Sequence, residues 1–276
     1  MEKERASEKS GGAVLRAAFD TLHGLDRCLL GRASNLAWVF AGLGFGWWVY
    51  VPIHEFLHAA ACRLTGGQVT ELQIAPLYGG DLWAALFPWV TSGGDYAGRL
   101  VGFDTFGNDG IYLATDFGPF VLTLWPGVWA LRRAAAASRP MLFGASLPMG
   151  LAPFMSLTGD AFEIGTILTT RLAPWSSYAE TLRSDDLLLW VETHWQTAGA
   201  PWGGAALALL LGIIWALGTY AAGGLVASAL GAGPVPPLGT AEVAALRAER
   251  SKNHTHAGGR STGDPPSAAT PGEDTR

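Results

Sequence analysis

The chain has 276 residues, 49% of them hydrophobic and only 15% charged, with 37 glycines, 12 tryptophans and a net charge of −5. So apolar and aromatic a balance points to a membrane class rather than an ordinary soluble domain. No basic patch is interleaved with aromatics, which excludes nucleic acid as a partner, and two cysteines, Cys28 and Cys62, are expected to be free thiols rather than a disulfide framework.

Residues 1–32 read as a charged N-terminal leader, partly amphipathic, without the continuous apolar core of a signal peptide. A helix crossing about 30 Å of hydrocarbon needs roughly 20 mostly apolar residues, and four windows meet that length. The first covers 33–64: it is uncharged from Ala33 to Ile53 and continues helically through HEFLHAAACRL. Residues 68–95 follow, with a strand-like alternation around Glu71, Leu72, Gln73 and Ile74, then LWAALFPWV, which is too short to span and is expected to be re-entrant or interfacial. The second window, 110–131, contains Asp116; the third, 140–172, contains Asp160 and Glu163; the fourth, 203–230, has no charge. Beyond 231 the composition becomes Pro-, Gly-, Ser- and Thr-rich, a polar and largely disordered C-terminal tail.

These elements predict an all-α polytopic membrane protein with about four transmembrane helices and a short β-strand or re-entrant segment between the first and second. Lys and Arg near span ends favour the cytoplasmic face. The leader, the tail and the turn holding Arg132, Arg133 and Arg139 outweigh the opposite face, which has Arg63, Arg99, Arg171 and Arg183. A multi-pass protein of a bacterial cytoplasmic membrane, both termini cytoplasmic, is the expectation. The bilayer is its solvent, and no feature sets its oligomeric state.

His54-Glu55-Phe56-Leu57-His58 is an H-E-x-x-H pattern. Residues four apart share a helix face, so both imidazoles reach one metal, with Zn2+ expected at one per chain, while Glu55 stands beside it. The pattern arises by chance in about 0.5% of chains of this composition. Three ionisable groups within five residues of an apolar span also mark a functional site. A catalytic zinc keeps three protein ligands and an open position. Asp160, about level with His54 when 1.5 Å is counted per residue along parallel spans, is the expected third. Glu163, one turn on, is the alternative ligand or supports the ligands from behind. Asp116 either orients a histidine or caps its helix. Pro52 either bends the span or is a tolerated kink, and the glycines of GLGFGWW are expected to serve helix packing.

The run HEFLHAAACRLTGGQVTELQIAPLYGGD, the later ATDFGPFVLTLWPG and PFMSLTGDAFE resemble the site-2 protease family of intramembrane zinc metalloproteases. The resemblance spans about residues 33–171. It implies Glu55 as general base, His54, His58 and Asp160 as ligands, and a transmembrane protein as substrate. The family's Asn, Pro and Leu before that aspartate and the Gly after it fall on Ala152, Met155, Gly159 and Ala161, so only the aspartate matches there. An unwound substrate could add to the strand at Glu71, Leu72, Gln73 and Ile74. Two other readings stand beside proteolysis: a zinc-binding membrane protein without protease activity, in a regulatory or partner-binding role, and a transporter using the intramembrane His and carboxylates.

Overall fold

The structure is a computed structural model that describes residues 15–30, 32–184 and 186–239, together with Glu242 and Ala244. Residues 1–237 form one unit and 238–276 a second. The disordered-tail expectation for 245–276 and the first 14 residues of the leader lie outside the described residues.

Helix α1 (Arg16–Leu29) leads into α2 (Ala33–Leu64), and α2 runs unbroken through Pro52 to the end of the H-E-x-x-H motif. The last long helix, α11 (Trp202–Ala229), is also continuous. These two are long and apolar enough to cross a membrane. Their glycines and alanines replace bulk with close backbone approach: a Cβ on Gly42 of α2 would lie 2.0 Å from the Met141 carbonyl oxygen. Gly42 and Gly46 of GLGFGWW therefore pack against α6 (Pro140–Gly150), in keeping with small residues at tight helix crossings, whereas Gly44 between them meets nothing within 4 Å.

The second and third apolar windows are interrupted. The second consists of α4 (Asp109–Phe117), a 3-10 turn (Gly118–Phe120), a π turn (Thr123–Gly127) and α5 (Val128–Ala136). The third consists of α6, the single turn α7 (Ala152–Met155) and α8 (Asp160–Thr170). Glycine and proline cause the breaks: Pro119 and Pro126 lack the donor that a continuing ladder needs, and Gly150 and Gly159 flank the α7 turn. Side chains compensate, as where Thr123 Oγ1 donates to the Met149 carbonyl at 2.8 Å.

Residues 68–104 correct the single-strand expectation, because they form a three-stranded sheet. Strand β1 (Gln68–Ile74) leads through a 3-10 turn and the short helix α3 (Gly80–Leu86) to β2 (Val90–Ser92) and β3 (Gly98–Asp104). The order is β2-β1-β3, with β1 parallel to β2 and antiparallel to β3. The piece LWAALFPWV thus supplies α3 and the start of β2, and Phe56 of α2 packs in an aromatic cluster with Trp83, Phe87 and Trp89.

The leader is more than a solvated arm. Asp20 of α1 and Arg132 of α5 are buried and meet at 2.8 Å, Tyr220 of α11 donates to the same carboxylate at 3.0 Å, and the Val235 amide to its other oxygen at 3.0 Å. Arg132 also donates to the Gly224 carbonyl at 2.9 Å. The pair therefore fastens α1, α5, α11 and the segment after α11 together. It also removes Arg132 from the loop charges that set orientation, leaving Arg133 and Arg139 exposed at that turn.

Helices α9 (Ala179–Leu182) and α10 (Leu187–His194) lie between α8 and α11 in the chain. There Arg183 grips both oxygens of Asp109 at 2.8 and 2.9 Å, and Arg171 adds a bond at 2.9 Å. The Arg183 hydrogen bond is the largest cause holding the Asp109 carboxyl below its ordinary value. A group with a depressed folded pKa stabilises above its unfolded pKa, about 3.9, and that contribution disappears as pH falls through the folded value. Asp109→Asn is accordingly expected to lower stability by about 1 kcal/mol at pH 7. The difference from wild type should shrink in melts as pH falls below the ordinary carboxylate range; a pH-independent difference would show that the clasp contributes through packing alone.

Candidate metal centre

Four residues of the centre come from α2, and its helical period sets three of them in one row. Tyr50, His54 and His58, each four residues apart, share a face. Tyr50 Oη lies 2.7 Å from His54 Nδ1, and His58 Nδ1 lies 2.8 Å from the Thr115 carbonyl oxygen. A carbonyl only accepts, so Nδ1 of His58 carries the ring proton and its Nε2 presents a lone pair. The same assignment at His54, donating from Nδ1 to the tyrosine oxygen, turns its Nε2 lone pair the same way.

The Thr115 carbonyl reaches His58 because α4 and its 3-10 extension approach α2 without a side chain between them. A Cβ on Gly118 would lie 2.5 Å from the Leu57 carbonyl oxygen. Gly-Pro in ATDFGPF is thus a site-building feature: Gly118 permits the approach and Pro119 ends the α-helical ladder.

Asp160 arrives from the opposite side as the first residue of α8, its backbone N–H donating to Ser156 Oγ at 3.1 Å. Helix α11 presses α8 into place, since a Cβ on Gly165 would meet the Ala208 carbonyl oxygen at 2.0 Å. Asp160 Oδ2 lies 3.2 Å from His54 Nε2 and Oδ1 lies 3.6 Å from His58 Nε2, while the two Nε2 atoms are 3.1 Å apart. Tetrahedral zinc with bonds near 2.05 Å separates its ligand atoms by about 3.3 Å. The triangle therefore has the size of a zinc face.

Chemistry agrees with size. Two unprotonated imidazole nitrogens and a carboxylate repel one another when forced together, and a cation between them relieves that repulsion. Asp160 Oδ2 is buried with no hydrogen-bond partner. Among the described residues, His54, His58 and Asp160 are the group whose ligand atoms can hold a metal ion.

Glu55, beside His54 and nearly buried, lines two cavities that flank the triangle. One, of about 190 Å³, is bounded also by His58, Arg99, Asp116 and Glu163. The other, of about 280 Å³, is bounded by Trp47, Tyr50, His54 and Met155. Strand β3 passes directly over Glu55, for a Cβ on Gly98 would lie 2.4 Å from Glu55 Cγ.

The other expected residues fall in different places. Glu163 faces the first cavity but is bound by the Tyr112 hydroxyl and stands outside the metal-holding group. Asp116 lines the same cavity near the C-terminal end of α4, so it caps no entering helix; Asn108 is the N-cap, accepting from Gly110 N at 2.8 Å. Neither histidine's Nδ1 is held by Asp116, since Tyr50 and the Thr115 carbonyl take those positions. Glu71, Leu72, Gln73 and Ile74 are corrected as a strand-addition edge. Strand β1 is the middle strand, its Leu72–Ile74 stretch is paired on both sides, and Leu72 and Ile74 are fully buried. Glu71 Oε1 is occupied by Gln73 Nε2 and Thr91 Oγ1. The strand beside Glu55 is the outer strand β3.

Tyr50 was legible as the residue one helical turn before His54, whereas Thr115 acts through a carbonyl that every residue possesses. Tyr50→Phe is expected to weaken zinc binding by about 10-fold to 100-fold, the usual effect of losing the partner that orients a ligand histidine. Competition against a fluorescent chelator measures it, and unchanged affinity would remove Tyr50 from the centre.

The chain is thus mostly helical, with a small three-stranded sheet, two helices able to cross a membrane and a His-His-Asp group able to hold a metal ion. Comparison with family models, with curated proteins and with solved structures finds no match.

Proposed function

We propose that the chain is a multi-pass membrane zinc endopeptidase of the site-2 protease type, hydrolysing peptide bonds in or near transmembrane segments of other proteins. The observation that carries this reading is the triangle of His54, His58 and Asp160 beside Glu55, where the two cavities and strand β3 meet. In this reading residues 110–136 and 140–170 are two further spans, interrupted at prolines and glycines, with the Met149 carbonyl satisfied by Thr123 Oγ1. Both termini face the cytoplasm.

His54, His58 and Asp160 hold the metal, Tyr50 and the Thr115 carbonyl orient the two rings, and zinc in that position supplies Lewis acidity to a water and a scissile carbonyl. Glu55 takes the water's proton and returns it to the leaving amine. Its carboxylate reaches both cavities, so it can serve water on one side and substrate on the other. A transmembrane helix must unwind before any of its peptide bonds is accessible, because its carbonyls are bonded internally. Strand β3 offers the unwound segment an edge, with Gly98 keeping the backbone close to Glu55.

Cleavage of a tagged model transmembrane substrate in proteoliposomes tests the proposal. The purified chain is expected to cut, to stop after treatment with a zinc chelator, and to resume when zinc is restored. Bound zinc at one per chain with no cleavage across a substrate panel would instead favour the non-proteolytic, partner-binding reading.

A further inference from the structure

The turn joining α5 to α6 carries a groove far from the zinc ligands. It encloses about 610 Å³ between the two helices, with Trp129 and Arg133 on the α5 side and Arg139, Leu142, Ala145 and Met149 on the α6 side. Arg133 and Arg139 are exposed at one end, and neither side chain has a hydrogen bond or ion pair among the described residues. Their neighbour Arg132 is instead buried against Asp20. Away from the arginines the wall is apolar, and from Arg139 to Met149 the helix climbs about 15 Å.

Two unpaired guanidinium forks match the oxygens of a phosphate, which Arg binds in a bidentate manner. An apolar channel continuing from them matches a chain attached to that phosphate. Free inorganic phosphate would use the arginines and leave the channel without a role. Trp129, one helical turn from Arg133 along α5, lines the groove with an amphipathic ring of the kind enriched at membrane–water interfaces. The cytoplasmic leaflet, where orientation by charge puts this turn, is the one rich in anionic lipid.

We propose that this groove binds one anionic glycerophospholipid, its phosphodiester held by Arg133 and Arg139 and an acyl chain laid along Leu142, Ala145 and Met149. The inference rests on the membrane-spanning reading of residues 110–136 and 140–170, but not on proteolysis. Because both arginines are exposed, their replacement leaves the fold and the metal centre intact.

Native mass spectrometry of the full chain, released from detergent, provides the test, using phosphatidylglycerol, phosphatidylcholine of the same acyl chains, and inorganic phosphate as probes. Wild type is expected to retain one phosphatidylglycerol at least about 5-fold better than phosphatidylcholine, a preference that millimolar inorganic phosphate does not reduce. The Arg133→Gln/Arg139→Gln variant should lose that preference while keeping its zinc content. Equal retention of the two lipids by wild type, an unchanged preference in the variant, or displacement by inorganic phosphate would each overturn the site. Flotation with phosphatidylcholine vesicles separates the two levels of the argument. A chain that fails to float overturns the membrane reading and the lipid site with it, whereas one that floats without a lipid preference overturns the site alone.

Discussion

Glu55→Gln is expected to keep one zinc per chain and to lose about 10²-fold to 10⁴-fold of the cleavage rate, the range ascribed to a positioned general acid or base. The substitution is nearly isosteric, so Gly98 still passes over the side chain and the cavities keep their shape. What disappears is the ability to accept a proton. Zinc content by atomic absorption and cleavage of the tagged substrate, measured on one preparation, separate the two effects. Full activity in the variant would remove Glu55 as the base, and loss of zinc with loss of activity would mean that Glu55 supports the metal rather than the chemistry.

Asp160→Ala is expected to lose both zinc and cleavage. The carboxylate supplies one corner of a triangle whose other corners are 3.1 Å apart, and two histidines without it leave two positions open. Losing a direct ligand should exceed the 10-fold to 100-fold typical of groups that merely orient ligands, so affinity should fall more than about 100-fold. Glu163→Ala serves as the contrast. Its carboxylate is bound by Tyr112 and faces the cavity, so zinc content should remain near one per chain. If Glu163→Ala releases zinc while Asp160→Ala retains it, the ligand set is wrong and the helix carrying both residues is rotated relative to α2.

These outcomes also bear on the proposed likeness to the site-2 protease family. Ala152 and Met155 stand where that family has Asn and Pro, and Met155 lines the cavity beside Tyr50 and His54. On the proposed protease reading, an apolar wall there, together with the outer strand β3, would leave backbone hydrogen bonding as the main means of gripping an extended segment. Such recognition tolerates varied side chains.

Much of the centre is readable from local spacing. His54 and His58 on one helix face, Glu55 beside them and Tyr50 a turn earlier all follow from a period of 3.6 residues, and the apolar windows containing α2 and α11 follow from composition alone. The sequence by itself therefore determined which helix presents two imidazoles and that the chain is largely helical, but of its four apolar windows only two are long continuous helices. Only the tertiary structure decided the rest. Counting residues along parallel spans puts Asp160 level with His54 and so favours it over Asp116, but Glu163 lies only one turn on; the breaks around α7 and the pressure of α11 on α8 bring Asp160, and not Glu163, to the histidines. Strand alternation at Glu71 to Ile74 shows that a strand exists but not that it is the middle one, because sheet order depends on pairing between distant segments. Arg132 reads as one loop charge among three until Asp20, 112 residues away, buries it. Local patterns record what a residue's nearest neighbours along the chain can do, whereas ligand geometry, strand order and the burial of charge are set by residues that meet only once the chain has folded.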